Sequence, residues 1–415
     1  MLRKTISPVA LLLGLTCAAL AAGGFWNPKE RPLLPPEEPT QIAPEAPHLN
    51  EGPPKSYKTF SDAESLDAWL DSVRQQHNLP AIGAIVFRAD SVLARGIAGV
   101  RRANAADPAE LSDRFQLGSC TKAITATVAA ILVEEGKLSW TTTLAEVFPD
   151  LRDSMSADFR GVTMDLLLSH HAGISPFTDT DARDWKSIPN LAGTHTQQRA
   201  AFTAWVLRGK PAGPIGTKIL YSNGGYTIAA AVLERIMGES WESLVRKRVF
   251  EPLELRGSFA WSDNADPNQP WGHYEKKSTN KPIDPRNPDE RVPPIIWPAG
   301  AVELSLNDYG KFLQMNLRGL EGRDTSLLKS ATIKHLHTSP VSPADSSGLG
   351  WSVQEFDGVP AAAHAGSAGT FYAVTIIQPT RDLGAAVFTN AGGERGAAAA
   401  KDAIKALIRR FAKSP

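Results

Sequence analysis

Apolar residues are spaced differently in different parts of the chain, and the spacing divides it. Folded structure is expected from about Thr59, where Ser61 could cap a helix whose apolar positions are Leu66, Trp69, Leu70 and Val73. Ile82 to Phe87 and Val92 to Ala98 are short apolar runs joined by a turn around Asp90, which predicts two neighbouring strands. From Thr121 the spacing becomes helical. One helix is predicted over Thr121 to Glu135, closed by Gly136, and others over Gln197 to Leu207, Tyr226 to Met237 and Trp241 to Phe250, with Gly238 as the break between the last two. Ser262 to Pro294 is rich in Pro, Asp and Asn and reads as a long loop or excursion. Strand-like runs return at Leu349 to Phe356, Phe371 to Gln378 and Leu383 to Thr389, and a last helix covers Ala397 to Phe411. Strands at both chain ends with helices between them predict an α+β fold. It would have one antiparallel sheet built from both ends, flanked by helices, with a mostly helical lobe inserted. The sheet lobe would take about 59–118 and 300–415, and the helical lobe about 119–299. A substrate site is expected in the cleft between them.

The N-terminal segment follows neither period. Arg3 and Lys4 precede an apolar run from Val9 to Ala22, shorter than the roughly 20 residues a spanning helix needs. Ala19-Leu20-Ala21 then offers small residues at both positions of a cleavage site. This is the layout of a secretory signal peptide over about 1–21. An uncleaved anchor is the alternative. A lipoprotein attached through Cys17 is another, although Thr16 stands where a small Gly or Ala is expected. Residues 28–54 hold nine of the 31 prolines and few large apolar residues, so 22–58 reads as an extended linker. The protein is expected in the periplasm or outside the cell, with no membrane span after cleavage.

Charge and composition narrow the function classes. The 44 Lys and Arg balance the 44 Asp and Glu, which argues against a nucleic-acid binder working through a basic surface. With 42 % apolar and 21 % charged residues the chain is globular. Two cysteines, Cys17 and Cys120, rule out a disulfide scaffold and a cysteine zinc cluster. The nine histidines are scattered, with no H-E-x-x-H, so a metal hydrolase has no support. Ser119 follows Gly118, but the second glycine of a G-x-S-x-G elbow is absent. No metal or organic cofactor is expected, and the oligomeric state is not readable.

Three short patterns carry candidate chemistry. Ser119-Cys-Thr-Lys122 is an S-x-x-K at the start of a helix that is apolar nearly all round and should therefore be buried. Serine and lysine at i and i+3 share a helix face. Burial lowers a lysine's proton affinity, and a neutral amine can take the serine proton. The same match also fits a serine N-cap with a surface lysine, and two further S-x-x-K pairs, Ser278/Lys281 and Ser326/Lys329, lie in polar surroundings. Tyr221-Ser222-Asn223 is the one Y-x-N. A phenol beside an ammonium has a lowered pKa and can relay protons, and an amide can both donate to and accept from a substrate amide. It also fits a helix start capped by Ser222 or Asn223. His364-Ala365-Gly366-Ser367 leads toward a strand, where glycine permits close approach of a substrate backbone. His171-Ala172-Gly173 shares the H-x-G pattern, but it closes a short helix, where His170 and His171 read as structural. Trp271 and Trp297 fall in predicted loops, either lining an acyl pocket or packed as plain core.

S-x-x-K, Y-x-N and H-x-G, in that order, resemble the serine β-lactamase and D,D-peptidase superfamily. The likeness is strongest to its class C β-lactamase-like branch, which also holds esterases and D-aminopeptidases. Phe115-Gln-Leu-Gly-Ser119, Leu166-Leu-Leu-Ser-His-His-Ala-Gly-Ile174 and Pro298-Ala-Gly-Ala-Val-Glu-Leu-Ser-Leu-Asn-Asp308 are similar to family segments, as are Gly348-Leu-Gly-Trp351 and Thr389-Asn390. The resemblance spans about 60–412. It implies that Ser119 is the acylated nucleophile and that Lys122 and Tyr221 share base and acid work. It further implies that Asn223 holds the acyl side of the substrate. The backbone N–H groups of Ser119 and Ser367 would form the oxyanion hole, with His364 and Gly366 lining the site.

One departure matters. β-Lactamases of this branch usually carry Lys-Thr-Gly where this chain has His364-Ala365-Gly366. The fixed cation and the threonine hydroxyl are both lost, which weakens recognition of a penicillin carboxylate. Some peptidases of the superfamily carry histidine there. The sequence therefore predicts an exported serine hydrolase acting on an ester or amide of a small-molecule or peptide substrate. A β-lactamase, or a sensor that is acylated without turnover, is the alternative.

Overall fold

The computed structural model describes residues 63–180, 182–260, 266, 268–287 and 290–412, all within the compact unit Lys58–Pro415. The expected signal peptide, the linker and the Ser61 cap lie outside the described residues.

A short strand β1 (Glu64–Ser65) leads into α1 (Asp67–Gln76), the helix its apolar spacing predicts, with Leu70 fully buried. β2 (Ala81–Arg88) and β3 (Ser91–Gly99) form the expected hairpin. β4 (Phe115–Gln116) and a tight turn at Gly118–Cys120 run straight into α2 (Thr121–Glu134). The middle of the chain holds α3 (Leu144–Val147), α4 (Met164–Leu168), α5 (Arg183–Lys186), α6 (His195–Leu207), α7 (Asn223–Met237) and α8 (Trp241–Val245). There follow β5 (Ser258–Phe259), β6 (His273–Lys276), β7 (Thr279–Pro282), α9 (Trp297–Gly300) and β8 (Val302–Leu304). Two helices, α10 (Leu306–Leu320) and α11 (Ser330–Leu336), precede the C-terminal strands β9 (Ser352–Phe356), β10 (Val359–Ser367), β11 (Tyr372–Gln378) and β12 (Leu383–Thr389). The last described helix is α12 (Glu394–Phe411).

The main sheet has seven strands in the order β1-β3-β2-β12-β11-β10-β9. Both chain ends meet at its centre, where β2 pairs antiparallel with β12 from Gly384↔Phe87 to Thr389↔Ile82. Only β1 runs parallel to its neighbour. β2 is buried on both faces, as a central strand must be. Ile82, Ala84 and Val86 face one cluster with α1 and α12, while Ile85 and Phe87 face the other, larger one. In α12 the buried positions Ala400, Ala403, Ile404, Leu407 and Ile408 fall at i, i+3, i+4, i+7 and i+8. Fully burying each large aliphatic side chain contributes about 1.5–3 kcal/mol. On the opposite face α10 packs on β2 and β12. Beyond it lies the helical body around α2, whose residues Thr121 to Leu132 are all buried, with α7, α8, α9 and α11 against it.

Four sequence expectations change. Ser262 to Pro294 is not wholly loop: β6 and β7 form a hairpin there, anchored by buried His273. Its polar strands carry no apolar period to betray them. β10 was hidden for a related reason: Pro360-Ala-Ala-Ala-His-Ala-Gly366 lacks the β-branched residues that mark strands, and pairing with β9 and β11 makes it one. The helix predicted over Trp241 to Phe250 ends at Val245 and continues as a wider π-type turn, Arg246–Phe250. α4 closes through His170, itself left-handed at φ +65, so Gly173 is not the immediate cap.

Candidate active site

Ser119 occupies the Gly118–Cys120 turn at the mouth of α2. β8 pins this turn: Leu117 N–H donates to Val302 O at 2.9 Å, and Thr121 Oγ1 accepts from Val302 N at 3.0 Å. One turn on, Lys122 is wholly buried. Its Nζ lies 3.2 Å from Ser119 Oγ, 2.8 Å from Asn223 Oδ1 and 2.9 Å from Ala299 O. It also sits over the rings of Tyr221 and Tyr226, at 4.7 and 5.5 Å from their centroids. The surface-lysine reading of this S-x-x-K therefore fails, whereas Ser278, Lys281, Ser326 and Lys329 are all exposed.

Burial with no carboxylate beside it pulls the Lys122 ammonium down from its ordinary range to about 7. A neutral amine has two N–H donors and one lone pair. Asn223 Oδ1 and Ala299 O take the two donors, which leaves the lone pair for the Ser119 hydroxyl. The arrangement can deprotonate Ser119.

Tyr221 stands just before α7, with Lys122 Nζ 4.7 Å from its ring centroid. Its pKa is raised, not lowered as expected from a neighbouring ammonium. Desolvation raises it, and Lys122 is itself only fractionally charged near neutral pH. Tyr221 can thus donate and accept a proton as a neutral phenol. Asn223 opens α7, capped by Ser222, whose Oγ accepts from Gly225 N at 2.9 Å. Both polar ends of its amide are engaged within the protein: Oδ1 by Lys122 and Nδ2 by Phe177 O at 3.0 Å.

β10 closes the site. Its pairing with β9 stops at Ala363↔Ser352, so residues 364–367 pair with β11 alone, and the turn carrying Ser119 packs against them. The fit requires glycine on both sides. A Cβ on Gly366 would stand 1.9 Å from Leu117 O and 2.8 Å from Ser119 N. A Cβ on Gly118, at φ +51, would stand 2.6 Å from Ser367 N. The Ser119 and Ser367 backbones are thereby brought side by side. Gly366→Ala is expected to lower stability by roughly 1–3 kcal/mol through overpacking, read as a urea midpoint shift. An unchanged midpoint would mean that β10 yields freely.

His364 is half-buried and held down to about 4 by desolvation and then by Lys122. Its Nδ1–H donates to Ala365 O at 2.9 Å. It is neutral at pH 7, and no fixed cation stands at this position. His170 is closer to the site than the sequence suggested. Its ring lies 4.3 Å from that of Tyr221, and its Nδ1 accepts Ser222 N–H at 3.1 Å. Desolvation first, then Lys122 and His364, hold it well below the ordinary histidine range. The neighbouring His171 contacts Ser169 and Asp345 instead. No local signal separates the two histidines; only the left-handed turn at His170 aims them apart. Trp297 opens α9 at 7 % exposure, stacked on Phe259, and reads as core. It also borders a groove of about 410 Å³ that contains none of the site residues named above. Trp271 is half-buried beneath the Arg102 guanidinium. Among the described residues no three His, Cys, Asp or Glu side chains group as metal ligands, and no helix is long and apolar enough to cross a membrane.

Residues 66–409 match the model of the Beta-lactamase family. Penicillin-binding protein 4 of Amycolatopsis lactamdurans is 27 % identical over 332 residues, covering 78 % of this chain and 84 % of that protein. Lovastatin esterase of Penicillium rubens is 25 % identical over 260 residues, covering 57 % of this chain and 62 % of its own. The octameric penicillin-binding protein homologue of Pyrococcus abyssi superposes with a TM-score of 0.67 at 22 % identity, over 84 % of this chain and 77 % of its own. The last shares the fold.

Proposed function

The chain belongs to the Beta-lactamase family, and from that premise we propose that it is an exported serine hydrolase that forms an acyl-enzyme on Ser119 and cleaves an ester or amide. The observation that carries this reading is the buried Lys122 amine, 3.2 Å from Ser119 Oγ with its other partners already fixed. Lys122 takes the Ser119 proton as Oγ attacks the substrate carbonyl. The Ser119 and Ser367 N–H groups receive the oxyanion. The proton passes through Lys122 and Tyr221 to the leaving group, and water then releases the acyl group by the reverse relay. These steps use only groups of the chain itself. Asn223 positions Lys122, and His364 borders the substrate.

The substrate preference follows from β10. Neutral His364 and the methyl of Ala365 offer no charge and no hydroxyl to a free carboxylate. A penicillin or cephalosporin is thus a poorer fit than an ester or amide without that group.

The test is hydrolysis of a p-nitrophenyl ester and a chromogenic cephalosporin, side by side, by the wild type and Ser119→Ala. Ester turnover that vanishes in the variant is expected. Fast cephalosporin turnover would make the protein a β-lactamase despite His364. A stable cephalosporoyl adduct in the intact mass, with no turnover of either substrate, would make it a sensor. Full activity in the variant would remove Ser119 from the mechanism. Export rests on residues 1–21 and is checked by the N-terminal sequence of the protein recovered outside the cytoplasm.

A further inference from the structure

Three consecutive carbonyls, those of Ser175, Pro176 and Phe177, are bonded to the start of α7. Ser222 Oγ donates to Ser175 O at 2.5 Å, Asn223 N to Pro176 O at 2.8 Å, and Asn223 Nδ2 to Phe177 O at 3.0 Å. The last of these decides the orientation of the Asn223 amide. Phe177 O can only accept, so it must face Nδ2, and Oδ1 is left for Lys122 at 2.8 Å. The geometry of the base therefore depends on where Phe177 O points.

Phe177 does not hold that position by backbone preference. Its φ is +48, a left-handed conformation that costs an L-residue roughly 1–2 kcal/mol. Two contacts keep it there. Its ring lies 5.1 Å from Phe202 and 6.1 Å from Trp205, and presses on Gly224, where a Cβ would meet it at 2.5 Å. Its N–H donates to Asp184 Oδ2 at 2.7 Å, while Asp184 Oδ1 accepts Trp185 N–H at 2.8 Å. Asp184 is the second residue of the short helix α5 and is half-buried. The chain of bonds runs Asp184, Phe177, Asn223, Lys122, Ser119.

We propose that Asp184 is a positioning residue for the Ser119 reaction: its carboxylate holds Phe177 left-handed, Phe177 O fixes the Asn223 amide, and the amide aims the Lys122 lone pair at Ser119. This rests on the serine-hydrolase reading above. Without the Asp184 bond, Phe177 relaxes and the Asn223 amide is free to turn. An N–H of Asn223 then faces the amine, occupies its lone pair and disfavours its charged form. The other groups around Lys122 are Cys120 in the turn before α2, Tyr221 and Tyr226 at α7, His170 after α4 and His364 on β10. None of them contacts Asp184 through this chain of bonds.

The experiment follows p-nitrophenolate release during acylation by p-nitrophenyl acetate, from pH 5 to 9, in the wild type, Asp184→Ala, Asp184→Asn and Ser119→Ala, each normalised to folded protein by circular dichroism. Asp184→Ala is expected to lower the plateau rate at least tenfold and to move the rising limb at least half a pH unit toward acid. Asp184→Asn keeps an acceptor for Phe177 N–H and is expected to stay within about threefold of the wild type. Should Asp184→Ala fail to fold, Asp184→Ser, whose acceptor is too short to reach, carries the same expectation. An unmoved limb in the Ala variant overturns the proposal, whether or not its rate falls, as does an equal loss in the Ala and Asn variants. Acylation that persists in Ser119→Ala would instead overturn the hydrolase reading on which the proposal stands.

Discussion

Lys122→Met is expected to slow acylation of Ser119 on the order of a thousandfold, within the range removal of a positioned general base produces. Methionine fills the stem but removes the amine lone pair that takes the Ser119 proton. The wild-type rate should rise with pH through about 7, because the amine is a base only when neutral and burial holds it near that value. The residual rate of the variant should lack this limb. Lys122→Arg is no rescue, since a guanidinium stays charged. Stability makes a second, independent signature. The Lys122 pKa lies below its unfolded value of 10.5, so between about 7 and 10.5 the unfolded chain binds the extra proton. Stability of the wild type must then rise with pH in that window, with a limiting slope of about 1.4 kcal/mol per unit. The methionine variant lacks the effect. Its stability relative to wild type, from urea midpoints at pH 7 and 9, should fall as pH rises. A constant difference would show that Lys122 is not held neutral in the folded protein.

Arg199→Met is expected to produce the largest loss of stability, about 3–5 kcal/mol, because it strands buried carboxylates. Arg199 is fully buried on α6 and joins three elements. Its Nη2 donates to Glu234 on α7 at 2.6 Å and to Glu242 on α8 at 2.8 Å, while Nη1 donates to Pro294 O at 3.3 Å. Glu234 also accepts Trp241 N–H and the Thr196 hydroxyl, so it cannot simply turn away. Glu242 keeps some exposure, and its share is smaller. Without the guanidinium, burial would push the Glu242 carboxyl up. The variant should therefore recover part of the loss as pH falls from 7 toward 5 and Glu242 takes up a proton. Arg199→Met with Glu234→Gln should be less unstable than Arg199→Met alone. Urea unfolding at pH 7 and 5 checks both statements. The effect also reaches the site, because Pro294 leads into α9, whose Ala299 carbonyl holds Lys122.

Local pattern accounts for much of what the sequence revealed. The helix over Thr121–Glu134 is apolar on all sides, and such a helix can be stable only when surrounded. That one property separated Ser119 and Lys122 from the two exposed S-x-x-K pairs. The N-cap role of Ser222 was legible too, since it depends on a residue and the next turn. The strand β10 was not. Its alanines and glycines have no strand preference, and its neighbours β9 and β11 supply the reason it is extended.

By itself the sequence determined the helices and strands with a clear apolar period, the meeting of both chain ends in one sheet, and the three motifs in their order. These follow from side chains a few residues apart, where helix and strand periods are set by local geometry. Tertiary structure alone decided the chemistry of those motifs. Lys122 meets Asn223 and Ala299 across 101 and 177 residues, and their carbonyl groups rather than its helix direct its lone pair. The raised Tyr221 pKa and the neutral His364 come from desolvation by distant segments, and the place of His170 beside Tyr221 comes from tertiary packing. Desolvation depends on everything packed around a group, and that sum exists only once the chain has closed on itself.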